Sequence, residues 1–167
     1  VENEGLTVLD ETNEVAEVQL REIQAELARA QADRIEKQSR YELAMARPAA
    51  SLPEVLDSGP IKEYATRLTD LKRQYAELTQ ALTPSHYKVK RLAAQIRELD
   101  GVIEEERENI VRRVRNEYEA ATRRERLLLE QYERQRDLVA AQAGKLQQYK
   151  LLKAQVESQR ALYQTML

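Results

Sequence analysis

Few side chains in this sequence could do chemistry, and their neighbours decide what each can do. His86 is the single histidine in 167 residues. A metal ligand or general base needs convergent partners, and only Ser85 and Tyr87 stand beside it, so it reads as a helix-start residue at an exposed turn. Tyr118, Tyr132, Tyr149 and Tyr163 recur at nearly even intervals, each on the same heptad seam. Such rings could stack on sugars, but tyrosine also suits the edge of a helix seam, with its ring buried and its hydroxyl in water. They read as seam residues. Arg112, Arg113, Arg115, Arg123, Arg124 and Arg126 could form a track for phosphate or an anionic glycan. Glu117, Glu119 and Glu125 interleave them, however, and Glu108–Arg112 and Glu119–Arg123 have the i,i+4 spacing of pairs within one helix. That face reads as solvated and self-paired. The run Glu104-Glu105-Glu106 has no ligand-bearing loop around it, so a Ca²⁺ cage is not expected. No two of the four glycines have P-loop spacing. No catalytic, cofactor-binding or metal-ligating residue is therefore expected in this segment.

The elements that must position these residues follow from composition. There is no Cys, Trp or Phe, and 34% of residues are charged. Globular cores normally use large aromatic rings because they bury the most area. Here Leu, Ile, Val and eight Tyr are the large side chains, which suit a thin seam. A net charge of −2 favours no polyanionic partner and argues against nucleic acid. No apolar run approaches the ~20 residues of a membrane span. The chain opens at Val1 and stops at Leu167 inside a heptad pattern, so a segment of a longer protein is expected.

The stretch 85–167 dominates the sequence. It contains no proline and is interrupted only by Gly101 and Gly144. Val89, Leu92, Ile96, Leu99 and Ile103 start a seam with alternating gaps of three and four. Leu128, Tyr132, Val139, Leu146, Tyr149, Val156, Tyr163 and Leu167 continue it. A single helix C over 86–167 would be about 120 Å long and must be covered lengthwise by other helices. Helix A is predicted over about 7–47, after a polar lead-in at 2–7, with Thr7 and Asp10 as an approximate capping box. Its seam includes Leu6, Leu9, Asn13, Ala16, Leu20, Ile23, Leu27 and Ala30, with Arg34 and Lys37 as interruptions. Ala28, Ala30 and Ala32 would admit a close neighbour. Pro48, Pro53, Gly59 and Pro60 mark a break over 48–60. Helix B, 60–82, carries the cleanest seam: Ile61, Tyr64, Leu68, Leu71, Tyr75, Leu78 and Leu82. Ser58 is its expected cap. A short turn at 83–86 then makes B and C antiparallel neighbours.

The expected fold is all-α: an elongated antiparallel coiled-coil hairpin, with two shorter helices in tandem along one very long helix. With the turn centred near Pro84, B faces about 86–108, the break faces about 108–120 and A faces about 121–161. At the level of the break the seam of C stutters, through Ile103, Arg107, Ile110, Val114 and Tyr118 with gaps of four, three, four and four. A two-helix ribbon covers its seam only in part, so self-association through exposed seam or flanking surface is expected.

Several strings, taken in order, resemble the periplasmic coiled coil of the polysaccharide co-polymerases. These are the Wzz chain-length determinants, GumC-type exopolysaccharide transport proteins and Wzc-type autokinases. The strings are Leu52-Pro53-Glu54-Val55-Leu56, the turn Leu82-Thr83-Pro84-Ser85-His86-Tyr87-Lys88-Val89, Glu117-Tyr118-Glu119-Ala120-Ala121, Arg124-Glu125, Leu127-Leu128, and the terminal stretch from Arg160 to Leu167. The resemblance covers about residues 20–167. It departs at Tyr87, where the family's turn has a second proline. It implies a parent anchored in the bacterial inner membrane by two spans. Such a parent assembles into rings and governs the length or export of lipopolysaccharide, capsule or exopolysaccharide. The segment itself would then be a periplasmic, oligomerising arm, not an enzyme, with no cofactor. A cytoplasmic kinase domain in the parent is left open. Its partners would be further copies of itself and, through the parent, the polymerase and export machinery. Membrane contact would come only through flanking spans. Thr83, Pro84, Ser85, His86 and Tyr87 are the candidate subunit contacts at the tip. Two other readings stay open, a membrane-fusion-type adaptor hairpin and a cytosolic helical scaffold.

Overall fold

The computed structural model describes the backbone of residues 2–165 and the side chains of residues 10–164. The described chain is all-helical. It contains α1 (Glu2–Ala46), a 3₁₀ turn (Ala49–Ser51), α2 (Pro53–Leu56), α3 (Gly59–Ala81) and the long α4 (Tyr87–Thr165), with no strand among the described residues. The segment 2–7, read as a polar lead-in, is helical. It is continuous with a stretch rich in Ala, Leu, Glu and Gln that no proline interrupts. The capping-box side chain of Thr7 and the seam positions Leu6, Leu9 and Leu167 lie outside the described side chains.

Contacts divide the chain into two compact units, Val1–Arg34 with Ala121–Leu167, and Ile35–Ala120. Both α1 and α4 contribute to each.

In the Ile35–Ala120 unit the proline-rich break is a packed plug. Pro48 and Pro53 forbid one continuous helix through this stretch, because each lacks an amide donor and restricts the residue before it. The backbone instead closes short turns: Ser51 N–H donates to Pro48 O at 2.9 Å, and Asp57 N–H donates to Pro53 O at 2.8 Å. This folding drives Leu52 and Val55, 1% and 2% exposed, into a cluster with Ala44, Ile61, Ile110 and Val114. The stuttered stretch of α4 thus meets the plug. Ser58 begins α3, its Oγ accepting the Ile61 N–H at 3.5 Å.

The plug also sets register. Tyr41 stacks on Tyr118, with ring centroids 5.2 Å apart. Lys72 Nζ lies 3.9 Å from Asp100 Oδ1. Between these two contacts the first half of the chain passes from position 41 to 72, while α4 passes only from 100 to 118. The excess chain is absorbed in the break without advance along α4. The expectation that helix A begins to face α4 at residue 121 assumed that the break advances like a helix, and is corrected by this compaction.

In the other unit, Asp10 lies 3.6 Å from Lys150, Gln135 reaches Ala16 and Gln19, and Arg34 pairs with Glu125. Residue numbers rise along α1 as they fall along α4, so the two helices run in opposite directions here. The buried apolar residues of this unit are small: Ala16, Ala30 and Ala121, with Leu27 the one large side chain among the described residues. Ala28 and Ala32, expected to admit a neighbour, face solvent.

Candidate functional site

Three places could carry function: the tip, the cleft beside the plug, and the outer face of α4.

The tip is built from Thr83 to Tyr87. Leu82 N–H donates to Leu78 O and closes α3, and His86 N–H donates to Thr83 O at 3.0 Å. The Thr83 and Ser85 hydroxyls are 3.1 Å apart. His86 Nδ1 accepts the Lys88 N–H at 3.2 Å, and its carbonyl accepts from Lys90. The histidine therefore caps α4, with its ring proton on Nε2 when neutral. Its ring stacks on exposed Tyr87, centroids 4.8 Å apart. Immediately behind, Val89 is buried and holds the start of α4 against the protein. His86→Ala should cost about 1 kcal/mol through the lost cap, and His86→Asn should recover most of it; melting temperatures of the two variants check this.

Along the hairpin behind the tip, Ile61, Val89, Leu92 and Ile103 are buried. Tyr64, Leu68, Leu71, Tyr75, Leu78, Ile96 and Leu99 are half-buried. On the exposed side of α3, Asp70 accepts from Arg73 at 2.7 Å and from Gln74 at 2.8 Å. These hydrogen bonds, Arg73 first, hold its carboxyl below the ordinary value. A lowered carboxyl favours the fold above the unfolded pKa, and that contribution is lost as pH falls through the folded one. The site is fully exposed, so the effect on melting should be negligible. The carboxyl carbon shift of Asp70 should still titrate at lower pH in the folded chain than in urea.

The cleft, about 430 Å³, opens beside the plug. Carboxylates of Glu54, Asp57, Glu106 and Glu117 and the guanidiniums of Arg40 and Arg113 rim it over a floor of Ile110 and Val114. Arg40 is bonded to Glu36 and Ser58 is used as a cap. The rim mixes both signs, with four carboxylates to two guanidiniums, and offers no paired nucleophile and base. No cluster suited to a metal ion occurs among the described residues.

Arg112, Arg115 and Arg126 of the basic stretch are partnered within their own helix, though not in the expected pairs. Arg115, on the N-terminal side of Glu119, donates to it at 2.8 Å in the place expected for Arg123, and Arg112 donates to Asn109. Exposed pairs differ little in energy, so spacing alone does not choose between them. Of the four seam tyrosines, Tyr118, Tyr132 and Tyr149 are half-buried, whereas Tyr163 faces solvent. It is corrected from a seam residue to a surface one.

The outer face of α4 carries a row of exposed apolar side chains. Leu127, Leu138, Leu152, Val156 and Tyr163 are between 46% and 76% exposed. At 100° per residue their positions bring all five within about 20° of one line along the helix. Leu127 and Leu138 each sit one place before a seam position, Leu128 and Val139, whereas Val156, like Tyr163, was expected on the seam and faces solvent instead.

A scan against protein-family models, a search of curated proteins and a search of solved structures each returned no match to this chain.

Proposed function

We propose that this chain is a structural, oligomerising arm. It is the periplasmic segment of an inner-membrane polysaccharide co-polymerase that controls the length or export of lipopolysaccharide or exopolysaccharide. In this reading α1 and α3 climb in tandem beside α4 as an elongated antiparallel coiled coil. Copies stand side by side, with α4 and the tip at Thr83–Tyr87 meeting their neighbours. The mechanism is geometric: the arm sets the height and spacing of an assembly around the polymerisation and export machinery.

The observation that carries the reading is the apolar row on α4. Large exposed apolar side chains spaced along one line of a helix, here with Arg134 and Lys145 among them, give a neighbour a surface to meet, and this row lies on a helix that already has α1 on another face. Five large side chains, each removing apolar area at about 25 cal/mol per Å², give a second copy a surface to cover. The ordered strings around the plug, the tip and the end of α4 support the family.

Sedimentation of the full chain should show concentration-dependent self-association, weakened at least tenfold by Leu138→Asp with Leu152→Asp at unchanged helicity. In the bacterium that carries the gene, in-frame removal of residues 1–167 should shift the length distribution or amount of surface polysaccharide. An unaltered glycan ladder would overturn the functional reading, and a strictly monomeric chain would overturn the arm's role in assembly.

A further inference from the structure

The polar residues that interrupt the seam between α1 and α4 hold a consequence that apolar packing alone does not. Arg34 and Glu125 pair across the two helices with side chains only 26% and 20% exposed. One stretch further along, Gln135 Nε2 donates to Ala16 O at 3.0 Å and to Gln19 Oε1 at 3.3 Å. Around these contacts Ala16, Leu27, Ala30 and Ala121 are buried, and Leu20, Ile23, Leu128, Tyr132 and Val139 are half-buried. A seam that matches only in apolar pattern and volume loses uniqueness of pairing before it loses stability.

That matters where copies stand side by side. The covalent connection keeps α1 near its own α4. In an assembly of neighbouring arms a second copy's α4 also stands close by, so proximity alone does not exclude it. We propose that Arg34, Glu125 and Gln135 are specificity-determining contacts. They make the inner face of α4 accept its own α1 and reject the α4 of a second copy. In an α4–α4 pairing Glu125 would lose its guanidinium and Gln135 its carbonyl, each left against apolar groups or a like charge, and burying such groups unpaired is costly. A polar residue at a seam position selects partner at some loss of stability in this way. The inference rests on the side-by-side reading above and assigns the other face, the apolar row, to contacts between copies.

The chain has no cysteine, so cross-linking reports cleanly. Asp10→Cys with Lys150→Cys replaces an exposed pair 3.6 Å apart, and a short bis-maleimide joins the two thiols. At millimolar protein, within-chain product should exceed between-chain product by about tenfold or more. Arg34→Leu, Glu125→Leu and Gln135→Leu together should raise the melting temperature. They should also bring between-chain product to a similar level, with 150–150 links in chains that carry only Lys150→Cys. Arg34→Glu alone should weaken within-chain linking, and adding Glu125→Arg should restore it. Unchanged cross-linking in the triple-leucine variant, or no rescue by the charge swap, would overturn the proposal. A chain that stays monomeric at millimolar concentration yet passes the charge-swap test would instead overturn the side-by-side reading and leave the pairing contacts in place.

Discussion

Leu52→Asp should abolish folding of the Ile35–Ala120 unit, and Leu52→Ala should cost about 2–5 kcal/mol. Leu52 is 1% exposed and sits with Val55, Ile61, Ile110 and Val114. The alanine variant loses transfer energy and leaves a cavity that short turns pinned by Pro48 and Pro53 cannot collapse around. Aspartate adds the cost of an unpaired carboxylate among aliphatic groups, and the described residues place no cation in that cluster. The paired control is Leu56→Asp, one helical turn on, where the side chain faces solvent; it should shift stability by less than about 0.5 kcal/mol. Thermal and urea unfolding followed by circular dichroism check both. Equal melting of the two variants would mean that the break is a loose linker.

Changing Leu71, Tyr75 and Leu78 together to Asp should release α3 from α4. Each is half-buried on the seam side of α3, and losing three such contacts removes about 3–5 kcal/mol. The polar link available nearby is Lys72–Asp100, both side chains more than half exposed, and a pair of that kind holds little. A released α3 of 23 residues is a marginal helix in water. Far-UV helicity should therefore fall, and cooperative melting of the unit should broaden. Unchanged helicity and melting would show that α3 and α4 are not partners. The two experiments separate the contributions of the plug and of the tip-side hairpin, since the cluster around Leu52 includes none of these three side chains.

The pattern within this unit explains why the break tolerates three prolines. A helix interrupted beside a continuous partner exposes backbone donors and a gap in the seam. Here the 3₁₀ turn and α2 satisfy the backbone locally, and Leu52 and Val55 fill the gap at the level where α4 shifts its phase. The stutter on one side and the plug on the other are two halves of one packing solution.

Much of this was readable from the residues alone. Helix type followed from propensity and from gaps of three and four, because those gaps put apolar groups on one face whatever the surroundings. The breaks followed from proline chemistry, and the cap at Ser58 and the helix start at His86 followed from short-range hydrogen bonding. Contacts that join distant parts of the chain were decided only in three dimensions. Arg34 reads as a flaw in the seam until Glu125, far along the chain, stands across from it. The register between α1 and α4 depends on how far the break advances, a property of its compact folding and not of its length. That Leu127, Leu138 and Leu152 share an exposed face with Val156 and Tyr163, which spacing alone put on the seam, emerges only from packing, because which faces of a helix stay uncovered depends on where its neighbours end up. Local periodicity determines what a helix can bury; only packing determines what it does bury, because burial is a relation between two surfaces.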